Sequence, residues 1–300
     1  MLFQSMLIAL HLGAHKTATT YIQSALELSW PELDRVRVGY VPLKGVRSTL
    51  TERLGFGRRG LKAGVNALLL QHRFCKRLIL SDENIVGGLK PSRSGFYAKR
   101  RTRLGKLLNE LDQHDVHIYF AMRSYDEFIS AMYCEYIRHH PFVAAKSYIR
   151  GFRHDAFSWA KIVETFVTMV GAENVTLWRH EDFPVVQEKV FAALTGTPES
   201  LIHKPVDRIR ESLSAAAVQA LTALEPAHDL KEIRARAKSV AAAHPKAPEN
   251  PTFSAFDPAT SELLRLRYEH DVSGLLEAYP DVHFLGRCGN VEPSARKISI

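Results

Sequence analysis

Residues Gly13-Ala14-His15-Lys16-Thr17-Ala18-Thr19-Thr20 place a turn-forming glycine, a lysine and three hydroxyls in one short run. A tight turn that opens a helix points unpaired backbone N–H groups at one spot, and the helix dipole adds positive potential there. Lys16 contributes a full charge, and Thr17, Thr19 and Thr20 contribute neutral donors. The chemistry on offer is the cradling of a phosphate or sulfate; the plainer reading is a strand-to-helix turn that carries an incidental lysine. A second polar group, Arg123-Ser124, supplies a guanidinium, which suits a phosphate because it bonds it bidentately. A third, Ser81-Asp82-Glu83-Asn84, supplies carboxylates able to take a proton, although the same residue types favour helix N-caps.

Each group follows an apolar run. Leu7–Leu12 reads as a buried parallel strand that ends at Gly13, and Tyr21, Ile22, Ala25 and Leu26 give the next segment an apolar face at helical spacing. Arg37–Pro42, Arg77–Leu80, Val116–Met122 and Val175–Trp178 read as further strands. Between them the periodicity predicts helices over 60–72, 97–111, 126–138, 156–170 and 184–194, while residues 43–60 read as a long surface loop or lid. This β-then-α alternation predicts an α/β fold: a central parallel sheet flanked by helices. The carboxyl ends of such strands border the ligand crevice, which is where the three polar groups stand. Beyond about residue 200 the strands stop. Leu213–Leu224, Leu230–Ala243 and 258–277 read as helices, the last opened by Asp257-Pro258, and 286–300 as a loose tail. No linker or repeat divides the chain, so residues 1–300 read as one domain, with an α/β core over about 1–200 and a helical part over about 201–285.

Apolar content of 46% in 300 residues supports an ordinary packed core. No apolar run reaches membrane-spanning length, and the apolar N-terminus leads directly into the Gly13 turn, so it reads as the first strand of the fold. Cys75, Cys134 and Cys288 are widely spaced and form neither a zinc pattern nor a disulfide framework, which predicts a reducing, cytoplasmic setting. The histidines form no metal motif, and no metal site is expected. Net charge is +8, with basic runs from Arg53 to Lys62 and from Lys99 to Lys106 that read either as a solvated face or as an attraction for an anionic ligand. Zinc-finger and aromatic-basic RNA signatures are missing, so nucleic acid is not the expected partner.

The pair LHLGAHKTATTYIQ and MRSYDEFISAMYCEYIR, in this order, resembles the sulfotransferase family that uses 3′-phosphoadenosine 5′-phosphosulfate (PAPS), in particular its bacterial, carbohydrate-type branch. The resemblance covers residues 7–23, 77–85 and 117–138, and more weakly 174–183 and 208–216. It implies a P-loop-NTPase-like fold in which Lys16 and the backbone of Gly13, Ala14, His15, Thr17, Ala18, Thr19 and Thr20 hold the 5′-phosphosulfate. Arg123 then grips the 3′-phosphate. The family places a serine eight residues after that arginine; here that position is Ala131 and the serine is Ser130, about 100° away on a helix, so Ser124 or backbone N–H groups are alternatives for the contact. Arg208, Arg210 and Ser212 fall where the family's chain returns to the nucleotide, or else form a salt-bridged helix start. Lys16 would stabilise charge on the bridging oxygen, and Glu83, then Asp82 and His15, are the candidates for the base. No metal is required, and the product is 3′,5′-ADP. The expected acceptor is a hydroxyl on a carbohydrate or glycolipid, an anionic polysaccharide being suited to the basic runs. The alternatives are a kinase or NTPase of the same fold class, for which the spacing from Gly13 to Lys16 is too short, and a non-catalytic anion-binding module.

Overall fold

The computed structural model describes residues 5–55, 58–93, 95–151, 153–154, 157–206, 212–224 and 229–286. Its centre is a six-stranded sheet of β1 (Leu7–His11), β2 (Val38–Val41), β3 (Arg77–Ser81), β4 (Asp115–Met122), β5 (Val175–Arg179) and β6 (His283–Phe284), in the order β2-β3-β1-β4-β5-β6. Every pairing is parallel. The expected α/β architecture is therefore present, with one addition: β6 stands in the part of the chain expected to be purely helical. Its two residues pair with Thr176 and Leu177 of β5, and Leu285 N–H continues the ladder to Leu177 O at 2.8 Å. Such a short segment carries no pattern of its own and becomes a strand only through its neighbour.

Alternation along the inner strands divides the core between two faces. Ile8, Leu10, Leu78, Leu80, Ile118 and Phe120 face one way, onto helices Arg58–Gln71, Arg100–Leu108, Trp159–Val170 and Pro258–Ala278. Ala9, Ile79, Tyr119, Ala121 and Trp178 face the other, onto helices Thr19–Leu28 and Phe183–Thr195. The helical C-terminal part is tied to the rest by polar contacts. Ala255 N–H donates to Ser130 Oγ at 3.0 Å, Tyr268 OH to Glu181 Oε2 at 3.2 Å, and Arg265 pairs with Asp126 at 3.0 Å.

Residues 43–55 are not a loop. They form successive helical turns, Leu43–Val46, Arg47–Thr51 and Arg53–Gly55, with Val46, Leu50 and Leu54 buried in the core. Those apolar residues recur every four positions, a helical period that the intervening Gly, Arg, Ser and Thr obscure. Arg47 of the second turn lines the cleft described below, and that turn packs closely on helix Arg58–Gln71. A Cβ added at Gly64 would stand 2.0 Å from Thr49 O. The basic helix is likewise structural in part: Arg103 donates to Ile85 O at 2.9 Å and to Asn84 O at 2.9 Å, and Arg100 to Lys161 O at 2.7 Å. The expected tail lies outside the described residues from 287 onward.

Gly64→Ala should push the Arg47–Thr51 turn off the helix beneath it and destabilise the fold by about 1–3 kcal/mol. Denaturant unfolding measures this, and a stability equal to that of the native chain would show that the contact is not tight.

Candidate active site

Four strand ends meet at the carboxyl edge of the sheet. The register places His11 beside Ser81 and Tyr119, and Met122 beside Arg179. Backbone bonds carry the ladder past the strands: Leu12 N–H to Tyr119 O (3.0 Å), Ala14 N–H to Ala121 O (3.2 Å), Asp82 N–H to His11 O (3.2 Å) and His180 N–H to Met122 O (2.7 Å). The loop after β1, the carboxylates after β3, Arg123 after β4 and His180 after β5 are thereby held side by side. Above them lies a cleft of about 1020 Å³.

The loop after β1 is strained where it turns. Lys16 (φ 63°) and Ala18 (φ 66°) are both left-handed, a conformation uncommon for residues with a Cβ and one that gathers at ligand clamps. Thr17 Oγ1 closes the turn on Ala14 O at 2.6 Å, and Arg123 Nη1 holds Lys16 O at 2.8 Å. Gly13 is required by close approach, since a Cβ there would lie 2.9 Å from Thr19 Oγ1 and 3.1 Å from His11 Nε2. Helix Thr19–Leu28 starts without a side-chain cap, so its first N–H groups receive no capping bond from Ala18.

Lys16 lines the cleft with its ammonium 3.2 Å from Glu135 Oε2. Burial lowers the Lys16 pKa and Glu135 opposes that shift, with Arg138 and Arg123 adding to the lowering. Arg123 also lines the cleft, its outer edge paired with Glu127 at 2.9 Å. Its carbonyl accepts from Trp159 Nε1 at 2.7 Å, so the aromatic core fixes the backbone from which the guanidinium projects. The Arg123 position is further set by Ser124 N–H, which donates to Glu181 Oε1 at 2.7 Å.

The three candidate bases have different fates. Asp82 is fully buried beneath the cleft and is engaged by Arg47 (3.3 Å), Thr51 Oγ1 (2.7 Å) and Asn84 N–H (3.1 Å). It caps the turn Glu83–Ile85, so the N-cap reading describes it and it does not line the cleft. His15 reaches the lining, but its ring is held on both sides. Tyr97 OH accepts from His15 N–H at 3.0 Å and lies 2.8 Å from Nδ1, while Nε2 lies 3.3 Å from Asn84 Oδ1. The pattern fixes one tautomer: Tyr97 OH donates to Nδ1, and Nε2–H donates to Asn84. Burial lowers the His15 pKa against the pull of Glu83. Glu83 lines the cleft with Oε1 3.4 Å from Arg47 Nη2, while its Oε2 is buried without a hydrogen-bond partner.

The remaining candidates divide similarly. Ala18, Thr19 and Thr20 line the cleft, and the Thr19 hydroxyl has no partner. Ser124 and Ser130 do not line it. Ser124 Oγ donates to Asp126 Oδ1 at 2.6 Å, and Ser130 Oγ donates to Asp126 O at 2.6 Å while accepting from Ala255 N–H. The one-residue shift of the serine has thus turned it from the cleft into the joint with the C-terminal part. Ser212 lines both this cleft and a smaller neighbouring one. Arg208 and Arg210 lie outside the described residues.

Arg47, Glu135, His139 and His180 line the cleft without having been marked by sequence. His180 alone had a signal, since it follows a strand at the carboxyl edge. Its Nδ1 is buried without a partner, and burial, helped by Arg123 and Lys16, lowers its pKa to about 3. Among the described residues no cluster of side chains suits a metal ion, and no helix is long and apolar enough to cross a membrane.

No family model matches the chain, and no curated protein matches it by sequence. Among solved structures it is similar to a sulfotransferase from Alicyclobacillus acidocaldarius, with 13% identity and a TM-score of 0.41 over 80% of this chain and 96% of that one.

Beneath the loop, burial lowers the His11 pKa from 6.5 to about 3. An unfolded chain therefore binds a proton at this residue that the folded chain refuses, and stability falls as pH drops from 6.5 towards about 3. His11→Gln should remove about 1.4 kcal/mol per pH unit from that slope between pH values of about 6 and 4. Urea unfolding across the range measures it, and an unchanged slope would mean that His11 titrates as it does in water.

Proposed function

We propose that this protein is a sulfotransferase that moves the sulfuryl group of PAPS to a hydroxyl of a polar, anionic acceptor. The observation that carries the reading is the joint between the two anion-binding cations: Arg123 Nη1 holds Lys16 O at 2.8 Å, so both cations stand on adjoining strand ends over one cleft. A nucleotide with phosphates on both its 5′ and 3′ sides presents two anionic groups to such a pair. The loop from Gly13 to Lys16 is shorter than a triphosphate cradle needs, which favours this donor over ATP.

In this reading the loop amides and Lys16 hold the 5′ side and Arg123 the 3′-phosphate. Bound there, PAPS supplies an activated sulfuryl group and a stable leaving phosphate. Lys16 donates to the oxygen on which charge develops, the electrostatic contribution that dominates displacements with a loose transition state. Glu83 takes the acceptor's proton: its side chain lines the cleft, and Arg47 steadies Oε1. With Asp82 held in structural bonds and both nitrogens of His15 engaged, Glu83 is the base that the contacts favour.

Part of the lining supports this acceptor class. Arg47, Asn84, His139, Arg234, Lys246 and Thr252 are cationic or hydrogen-bonding, which suits a sugar that carries carboxylate or sulfate better than an apolar alcohol. None of Lys99–Lys106 lines the cleft, so the attraction for an anionic acceptor rests here on other cations than the basic helix.

A thermal-shift comparison of 3′,5′-ADP, ADP and ATP with magnesium tests the donor. At 100 times its Kd the right ligand stabilises by about 2.7 kcal/mol. Selective response to 3′,5′-ADP is expected, and a response confined to ATP with magnesium would overturn the reading. With a sulfated-sugar acceptor, Lys16→Ala should lower kcat by about 10²–10³. Glu83→Gln should also lower kcat, with KM for the donor little changed; near-full turnover would remove Glu83 from the role of base.

A further inference from the structure

The ammonium of Lys16 already has an anion. Glu135 Oε2 lies 3.2 Å from it, and the two side chains are only 13% and 10% exposed. The other carboxylate oxygen lies 3.1 Å from His139 Nε2, one helical turn further on. Burial pushes the Glu135 carboxyl up, but the His139 hydrogen bond, Lys16 and Arg138 outweigh it and hold the group well below the usual carboxylate range. A fixed negative charge thus sits inside the cleft, on the cation that the proposed donor needs. A phosphate or sulfate oxygen within hydrogen-bond distance of Lys16 would meet this carboxylate in a poorly solvated place, where like charges repel strongly.

We propose that Glu135 is a resident counter-ion that any anion entering the loop must displace: it occupies Lys16 in the free protein, so that a ligand engaging Lys16 alone binds weakly and one that also engages Arg123 offsets the cost. The inference rests on the donor site described above. Glu135 has somewhere to go, since His139 already holds its second oxygen and Arg138 lies close enough to act on it. A singly anchored anion gains Lys16 and loses the Lys16–Glu135 pair, so it binds weakly. A ligand with a second anionic group adds the Arg123 contact, which offsets the displaced carboxylate.

The test uses calorimetry with two probes, inorganic pyrophosphate and 3′,5′-ADP, and with ADP as the control. Glu135→Gln keeps the size of the side chain and removes its charge. Both probes should bind it about tenfold tighter than they bind the native chain, which is about 1.4 kcal/mol. In a Lys16→Ala background the same substitution should bring no gain, because the competition it relieves is for Lys16; a purely structural role would not show this dependence. Glu135→Asp, which keeps the charge but draws it back by one methylene, should give an intermediate gain and decides the matter if Glu135→Gln does not fold. Unchanged or weaker binding of both probes would overturn the proposal and leave Glu135 as a group that orients Lys16. Tighter pyrophosphate binding with no preference for 3′,5′-ADP over ADP would uphold the counter-ion and overturn the nucleotide reading instead.

Discussion

The candidate site depends on how firmly β1 is held at its carboxyl end. The strand lies between β3 and β4, and its ladder continues past His11 through Leu12 and Ala14 to the β4 backbone. The chain is therefore still bound to the sheet at Ala14 and is already helical at Thr19. The few residues between must reverse direction, which drives Lys16 and Ala18 into the left-handed region and leaves the first amides of the helix without a capping side chain. Strain of this kind costs of order 1–3 kcal/mol per residue and persists only where the surroundings over-determine it. Here Thr17, Arg123 and the packing at Gly13 do so.

Charge in the cleft is arranged in pairs on a neutral base. His11 and His180 are kept uncharged mainly by burial, so the positive potential comes from lysine and arginine. Lys16 is matched by Glu135, Arg123 by Glu127, and Arg47 by Asp82 and Glu83. Such pairing reduces the repulsion between neighbouring cations, which Lys16 still feels from Arg123 and Arg138, and each can turn to an incoming anion at the cost of its own carboxylate. The helical C-terminal part contributes Arg234, Lys246 and Thr252 to the lining, and it is anchored to the same helix, Tyr125–Ile137, that supplies Glu135.

The five longer strands were legible as apolar runs, and the helices between them were legible as amphipathic periods, because a sheet covered on both faces demands those patterns. Gly13, Lys16 and Arg123 were legible for a related reason: a chain that leaves the end of a parallel strand can only turn over the crevice. Other elements were not, helices Trp30–Arg35 and Ala145–Arg150 among them. The turns over 43–55 bury Val46, Leu50 and Leu54 from a stretch whose glycines and polar residues hide the period, and β6 is too short to signal itself. Both are made by what they pack against.

What the sequence determined by itself was the order of elements and the residue types at the strand ends, since local spacing suffices for each. Only the tertiary structure decided which polar groups do which work. Asp82 and Glu83 are adjacent in the chain, yet one is enclosed by Arg47, Thr51 and Asn84 and the other lines the cleft. Ser130 looked like a phosphate ligand one place out of register, and the helix turns it into the joint with Ala255. Glu135 carries no mark in the sequence at all. It matters because a helix begun at Tyr125 brings its carboxylate to Lys16, 119 residues away along the chain, and a charge acquires its meaning from the charge it faces.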